Sequence, residues 1–450
     1  MDQAMLSQIY SRHREILLDL FHESMAELSP ATMIQRKVQL KNRTLTVGDR
    51  EYWLGSSEKV YVIGSGKASG TLALELEKIL GNRIADGLVV VNRGFSKKGK
   101  RIQFFESDHP TPTNSSFSAA LELITFLKTI PPKSILINLI SGGTSSLIYA
   151  PPVGIELQSA ANLWSLLLDS GATIEEMNTV RKQISAVHGG RLLRFVKNLR
   201  LIDLILSDVP GNKPEVIGSG PTTVDETTIE DALAILKKFD LIKKLPPDIA
   251  DYLFNRLRFN DSDKPRLGSD SLLDHQQYVI GTSTDLAAII AEKAQKKNFS
   301  SRYYKEAYSD STKKIAIQIA KDAIAVLNGQ IELQKPAILV YHGESYVSVN
   351  GNGKGGRNQE LALTAALALE GQHKISLLSL GTDGKDGPTD VAGAAINGLT
   401  TLRARKKDLH PEEYLKDNDS YSFFSALGDT IRTEKHVTNL MDIQLILIEA

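Results

Sequence analysis

Apolar residues along this chain follow two spacings that alternate from one end to the other. Residues 5 to 27 place Leu6, Ile9, Ile16, Leu17, Leu20, Phe21 and Met25 near a 3.6-residue period, which predicts an amphipathic helix. After it come short, continuous apolar runs that end in glycine or serine and lead into helical patterns. KVYVIGSGKASGTLALELEKIL predicts a buried strand over 60–63, a turn at Gly64 and Gly66, and a helix from about residue 68. SILINLISGGTSSLIYAPP predicts a strand over 135–140, and LIDLILSDVPGN a strand over 201–206. HPTPTNSS is a proline-punctuated loop in which Asn114 or Ser115 would cap a helix near 116–128. Residues 155–198 read as mainly helical, and 240–275, crowded with Pro, Asp, Lys and Asn, as a connector. The later part predicts a strand in QYVIGTS with a helix behind it, a strand near 303–308 and a helix over 312–328. Strands in PAILVYHG, KISLLSLG and DIQLILI follow, with helices after GGRNQE and near 420–430. Strands alternating with helices imply an α/β protein with mainly parallel sheets.

Length and charge narrow this picture. At 450 residues the chain exceeds one ordinary core, so two domains are expected. Lys plus Arg equals Asp plus Glu, at 53 each, which leaves no global field for nucleic acid or an acidic membrane surface. Any anion site must therefore be local. The absence of cysteine excludes disulfides, thiolate metal sites and a Cys nucleophile. The charged N-terminal stretch lacks a signal-peptide core, and no apolar run approaches the roughly 18 residues of a membrane span. A cytoplasmic protein, monomeric or homodimeric, is expected.

The candidate chemistry lies in glycine-and-charge loops at predicted strand ends. GNGKGGRNQELALTAALALE joins Gly351, Gly353, Gly355 and Gly356 to a helix start, with Lys354 and Arg357 among them. Free helical N–H groups and a permanently charged Arg suit an anion; the competing reading is a surface loop with a solvated Arg. Lys67 sits in the turn of Gly64 and Gly66, where it suits phosphoryl chemistry, although the spacing matches neither a Walker A loop nor a full dinucleotide fingerprint. Ser141, Gly142, Gly143, Thr144, Ser145 and Ser146 form a second strand-to-loop anion cradle. His109 is a loop histidine, a type more often structural than catalytic. Arg181, Lys182, His188 and Arg191 read as a basic helix face with a glycine break. Asp208, just past a buried strand, is costly unless it meets a cleft, a cation or donors, so it is a candidate base or metal partner. Asp383, Asp386 and Asp390 lack EF-hand spacing; a Mg²⁺ or substrate-hydroxyl site competes with a turn capped by aspartates. The loops fall in 60–225 and 343–395, which points to a cleft between two domains.

Taken in order, GSGKAS, LISGGTSSL, VRKQISAVHGGRL, LSDVPGN, IGSGPT, HGES, GKGGRNQE and GTDGKDGPTDVAGA resemble the glycerate 2-kinases of the MOFRL type, over nearly the whole chain. The resemblance implies a Rossmann-like N-terminal domain over 1–255 and a smaller α/β domain over 270–450, with its MOFRL-like region at about 335–448. It also implies D-glycerate as substrate, ATP as donor and Mg²⁺ as the cation. By the same resemblance Lys67 and Arg357 line the active cleft and hold glycerate and the moving phosphoryl group. The 141–146 loop, with Gly64, Gly66, Gly355 and Gly356, then serves the nucleotide. Asp208 is base or metal partner, Asp383 and Asp386 orient the acceptor, and Asn212 joins Asp208 as a metal ligand. The chain departs from the family pattern at Thr144 (usually Gly), His188 (usually Lys), Asn212 (usually Asp) and EKHVTN, 434–439. Two other readings share the loops: a hydroxypyruvate reductase, suggested by the incomplete dinucleotide turn, and an inactive nucleotide or hydroxy-acid sensor.

Overall fold

The computed structural model describes residues 3–55, 58–259, 272–434 and 438–450, with side chains from residue 8. Two compact units divide them, and neither is a single stretch of chain. One holds residues 30–207 and 212–280; the other holds 1–29, 208–211 and 281–450. The sequence reading placed the first 29 residues with the N-terminal domain. Instead the helix Gln3–Glu27 packs on Ser283–Lys296 and on the strands Ile375–Gly381 and Asp442–Ile448, burying Leu17, Leu20, Phe21 and Met25.

The N-terminal unit is built on a six-stranded sheet in the order Ile102–Ser107, Ile84–Asn92, Val60–Ser65, Ile135–Ile140, Leu199–Leu206, Leu272–Gly281. The first five pair in parallel. Parallel strands covered on both faces need apolar residues at every position rather than alternation, and ILINLI is buried at all six. Val60–Ser65, the first of these six strands in chain order, is central, and the connections leave it in opposite directions. The point where they diverge lies between Val60–Ser65 and Ile135–Ile140, and ligands of open α/β sheets bind at the carboxyl ends there. Helices Ser69–Leu80 and Asn114–Thr129 cross between strands. The latter is capped by Thr113, one residue before the expected cap, in a box with Ser116. Beside the sheet, Leu157–Asp169, Ile174–Gln183, Ile229–Lys238 and Pro247–Arg258 pack around Leu163, Trp164, Leu167, Leu236 and Leu253.

The last of these helices lies in the expected connector. Its proline stands at the first helical position, where no N–H is lost from the ladder, and Ile249 and Leu253 face inward. Prolines and aspartates there mark a helix start, not a loop; residues 260–271 of that connector lie outside the described residues. A three-stranded antiparallel sheet, Val38–Lys41, Thr44–Val47 and Arg50–Trp53, was not anticipated, because four-residue strands give too short a pattern.

The C-terminal unit corrects the expectation of mainly parallel sheets. Its strands run Ser300–Tyr303, Ala337–Gly343, Asp442–Ile448, Ile375–Gly381, Gly393–Asn397, Thr430–Ile431, and only the first pair is parallel. The last long strand, DIQLILI, inserts between two strands that run against it and is buried at all seven positions. No described helix is long and apolar enough to cross a membrane.

The Thr113 hydroxyl accepts from the Ser115 amide and donates to Asp108. Thr113→Ala is expected to lower stability by about 1 kcal/mol, read as a lower urea midpoint with an unchanged slope; an unchanged midpoint would remove the cap from the account.

Candidate functional site

In the N-terminal unit the turn after Val60–Ser65 and the loop after Ile135–Ile140 interlock through their polar atoms. Lys67 N donates to Gly142 O at 2.9 Å, and Ser141 N to Ser65 O at 3.2 Å. Ser141 Oγ accepts from Ala68 N and meets Ser69 Oγ at 3.0 Å. Thr144 Oγ1 is fully buried and donates toward Ser65 O and Ser141 O. Ser146 Oγ donates to Gly143 O, and Ser145 Oγ meets Ser219 Oγ at 2.8 Å. The hydroxyls expected to face a ligand are therefore used inside the fold. The departure at Thr144 is explained the same way: its extra hydroxyl ties the loop to the neighbouring strand.

What the loop leaves over is backbone. The amides of Gly142, Gly143 and Ser145 make no hydrogen bond among the described residues, whereas amides shielded from water are almost always paired. Gly143, at φ 90°, opens the one-turn helix Thr144–Leu147. A side chain at Gly143 would meet His109 Cδ2 at 3.0 Å and Lys67 Cγ at 3.3 Å. Lys67 is half-buried, and its ammonium has no ion-pair partner among the described residues. Gly64 and Gly66 let the turn lie against Leu139 and Ser141, so their part in the site is close packing.

The segment around Arg181 is not a solvated basic face. Arg181, Lys182, His188 and Arg191 are all buried. Lys182 pairs with Asp225 at 2.7 Å, and the Arg181 guanidinium lies 4.1 Å from the centre of the Trp164 ring. Burial, with Arg191, Arg181 and Lys182 nearby, holds His188 down at about 3, so it is neutral and bonded to Ser185. The helix carrying Arg181 also presents Asn178 to Ser219, which links it to the glycine loop through Ser145.

The C-terminal unit holds the second cluster. The helix Arg357–Ala368 does start at the expected place, but two of its first amides, those of Asn358 and Gln359, are already occupied. Asp386, 2% exposed, accepts from the amides of Asn358 at 3.0 Å and Gln359 at 2.9 Å, and from the Gln359 side chain at 2.8 Å. Gly356 leaves room for this carboxylate, which any side chain there would strike. Gly351, Gly353 and Gly355 lie against 417–420. The loop expected to cradle phosphate thus gives two amides to the protein's own anion, while those of Gly355, Gly356 and Arg357 make no hydrogen bond among the described residues.

Arg357 is half-buried and paired twice, with Glu344 and with Asp442, whose Oδ2 is 2.6 Å from Nε. Burial works against the guanidinium charge, but Asp442 and Glu344 outweigh it and hold its pKa above the ordinary value. Sequence reasoning missed both carboxylates. Asp442 opens a mostly apolar, wholly buried strand, the same costly placement that singled out Asp208. Asp383 is half-buried and accepts from Lys385 N, while Asp390 is exposed and binds Tyr421 and Arg432. Asp208 stands half-buried just beyond the strand Leu199–Leu206, and Asn212 has left-handed backbone with a buried, unpartnered Oδ1. Of EKHVTN, residues 435–437 lie outside the described residues.

Comparison with known proteins bears on both clusters. Residues 16–254 match the family described as "Domain of unknown function (DUF4147)", and 337–442 match the MOFRL family. A glycerate 2-kinase of Pyrococcus horikoshii is 33% identical, with 97% of each chain covered. A putative hydroxypyruvate reductase of Agrobacterium vitis is 36% identical over 86% of this chain and 98% of its own. The crystal structure of a glycerate kinase from Thermotoga maritima superposes with a TM-score of 0.82 at 30% identity, covering 97% of this chain and all of that one.

Two outcomes follow from the geometry. Asp386→Ala strands two helix-start amides, and is expected to cost about 2 kcal/mol, measured by chemical unfolding; a wild-type midpoint would show that Asp386 is not the cap. His188 has a folded pKa below its unfolded one, so stability is full above about pH 6.5 and falls as pH drops toward about 3. Relative to His188→Gln, the wild type should lose on the order of 2 kcal/mol between pH 7 and 5; parallel pH profiles would contradict this.

Proposed function

This chain belongs to the DUF4147–MOFRL family of glycerate 2-kinases, and on that premise we propose that it phosphorylates D-glycerate to 2-phosphoglycerate with ATP. The observation that carries the reading is the set of unengaged amides at Gly142, Gly143 and Ser145 beside the Lys67 side chain, at the switch point of a parallel sheet. Phosphoryl transfer spreads charge over the moving oxygens, so a catalyst mainly positions and neutralises. In this reading the amides hold nucleotide phosphates, and Lys67 meets the transferred group. Arg357, aimed by Glu344 and Asp442, serves the acceptor carboxylate. Asp383 orients acceptor hydroxyls, and Asp386 orders the loop that carries Arg357.

Mg²⁺, when bound, offsets phosphate charge. Among the described residues no cluster of three or more His, Cys, Asp or Glu is suited to a metal. In this reading the ion is held largely by nucleotide oxygens with one or two protein donors. Asp208 and the unpartnered Asn212 Oδ1 have the right chemistry. Asp208 is also a candidate proton acceptor.

The reductase reading draws on the Agrobacterium vitis relatives' name. Against it, the strand Ile84–Asn92 ends in Asn92 and Arg93 rather than in an acidic residue for a ribose. ADP release with glycerate and NAD(P)H oxidation with hydroxypyruvate, assayed side by side, separate the two. Glycerate-dependent ADP release, with NMR placing phosphate on C2, is expected; NAD(P)H oxidation without ATP turnover overturns the kinase reading. Lys67→Ala should lower kcat by about 10²- to 10³-fold with an unchanged Tm. Arg357→Lys, which keeps charge but loses the planar fork, should lose activity comparably; an active variant removes Arg357 from the site.

A further inference from the structure

His109 follows the strand Ile102–Ser107 in the N-terminal unit, and its ring lies over the glycine loop. Three observations single it out. Its ring edge packs on the same face of Gly143 as Lys67, since a methyl group there would touch both, with His109 Nε2 at 3.4 Å. It is exposed, and neither ring nitrogen makes a hydrogen bond among the described residues. By contrast His13, His188 and His342, which are buried inside the fold, each have a ring nitrogen fixed by a side chain. The fold therefore keeps an unengaged imidazole against the turn that carries the unengaged amides and the unpaired lysine.

We propose that His109 is a catalytic residue that takes the proton from the acceptor hydroxyl; this rests on the kinase reading above. The C2 hydroxyl of glycerate gives its proton to a ring nitrogen of His109 while its oxygen bonds to the γ-phosphorus. The bond from that phosphorus to the β–γ bridging oxygen breaks, and ADP leaves with the electron pair. The imidazolium then releases its proton to water. Asp208 is left with the metal.

The electrostatics fit this assignment. Lys67 is the charged group facing His109 across the loop. Asp108, its chain neighbour, is turned to Arg93, Thr113 and Ser115, and 141–146 contains no titratable side chain. Local packing and the Lys67 charge hold His109 at about 4, so the ring is in its accepting form at neutral pH. An anion bound on Lys67 cancels part of that charge, and the imidazole becomes a stronger base when the substrates are in place. The acid limb of kcat, which reports the complex, should therefore lie at higher pH than that of kcat/KM, which reports the free enzyme.

Full-length His109→Ala and His109→Gln are assayed with ATP and D-glycerate, with Tm checked for each. Expected is a loss in kcat of about 10²- to 10³-fold with KM for ATP little changed, and the kcat acid limb lost in His109→Gln. Added imidazole should restore turnover in His109→Ala. A kcat within about threefold of wild type, or a loss confined to KM, overturns the proposal. Those results leave the kinase reading intact because the wild type still turns over; an inert wild type overturns both.

Discussion

Backbone N–H groups withdrawn from water need acceptors, and two glycine-rich turns of this chain answer that need in opposite ways. At the start of Arg357–Ala368 the acceptor is internal: Asp386 enters through the space left by Gly356 and binds two successive amides. At the carboxyl ends of Val60–Ser65 and Ile135–Ile140 the hydroxyls are spent on the fold, while the amides of Gly142, Gly143 and Ser145 find no acceptor. The first turn still leaves the amides of Gly355, Gly356 and Arg357 without a hydrogen bond among the described residues. The second leaves the amides of Gly142, Gly143 and Ser145 open beside the Lys67 side chain.

The same contrast governs the cations. Lys67 keeps its charge uncommitted, whereas Arg357 is committed to Glu344 and Asp442. A guanidinium held by two carboxylates is fixed in direction and keeps donors for a planar acceptor. Part of its charge is already answered, so it suits orientation of a substrate better than neutralisation of a transferring phosphate.

Burial also explains how unusual residues are tolerated. His188 stands among Arg181, Lys182 and Arg191, in a setting already rich in positive charge, and remains neutral. Arg181 rests its flat face on Trp164, and Lys182 is answered by Asp225. A buried ion pair of this kind contributes more to a single arrangement than to net stability. Here that arrangement sets the helix whose Asn178 reaches Ser219 and, through it, the glycine loop.

The residue pattern alone marked many of the helices and the long buried strands, because burial on two faces writes continuous apolar runs and a single buried face writes a 3.6-residue period; it missed the helix Pro247–Arg258. It also marked the glycine-and-charge turns at strand ends as candidates, since those are local features. It did not reveal the four-residue strands near the N-terminus or the antiparallel course of DIQLILI, because direction and pairing depend on partners far away in the chain. Nor could it tell that Asp386 fills one turn, that Asp442 holds Arg357, or that the serine and threonine hydroxyls near Lys67 face inward. Those outcomes depend on which donor and acceptor meet in space, and that is decided only when distant segments pack.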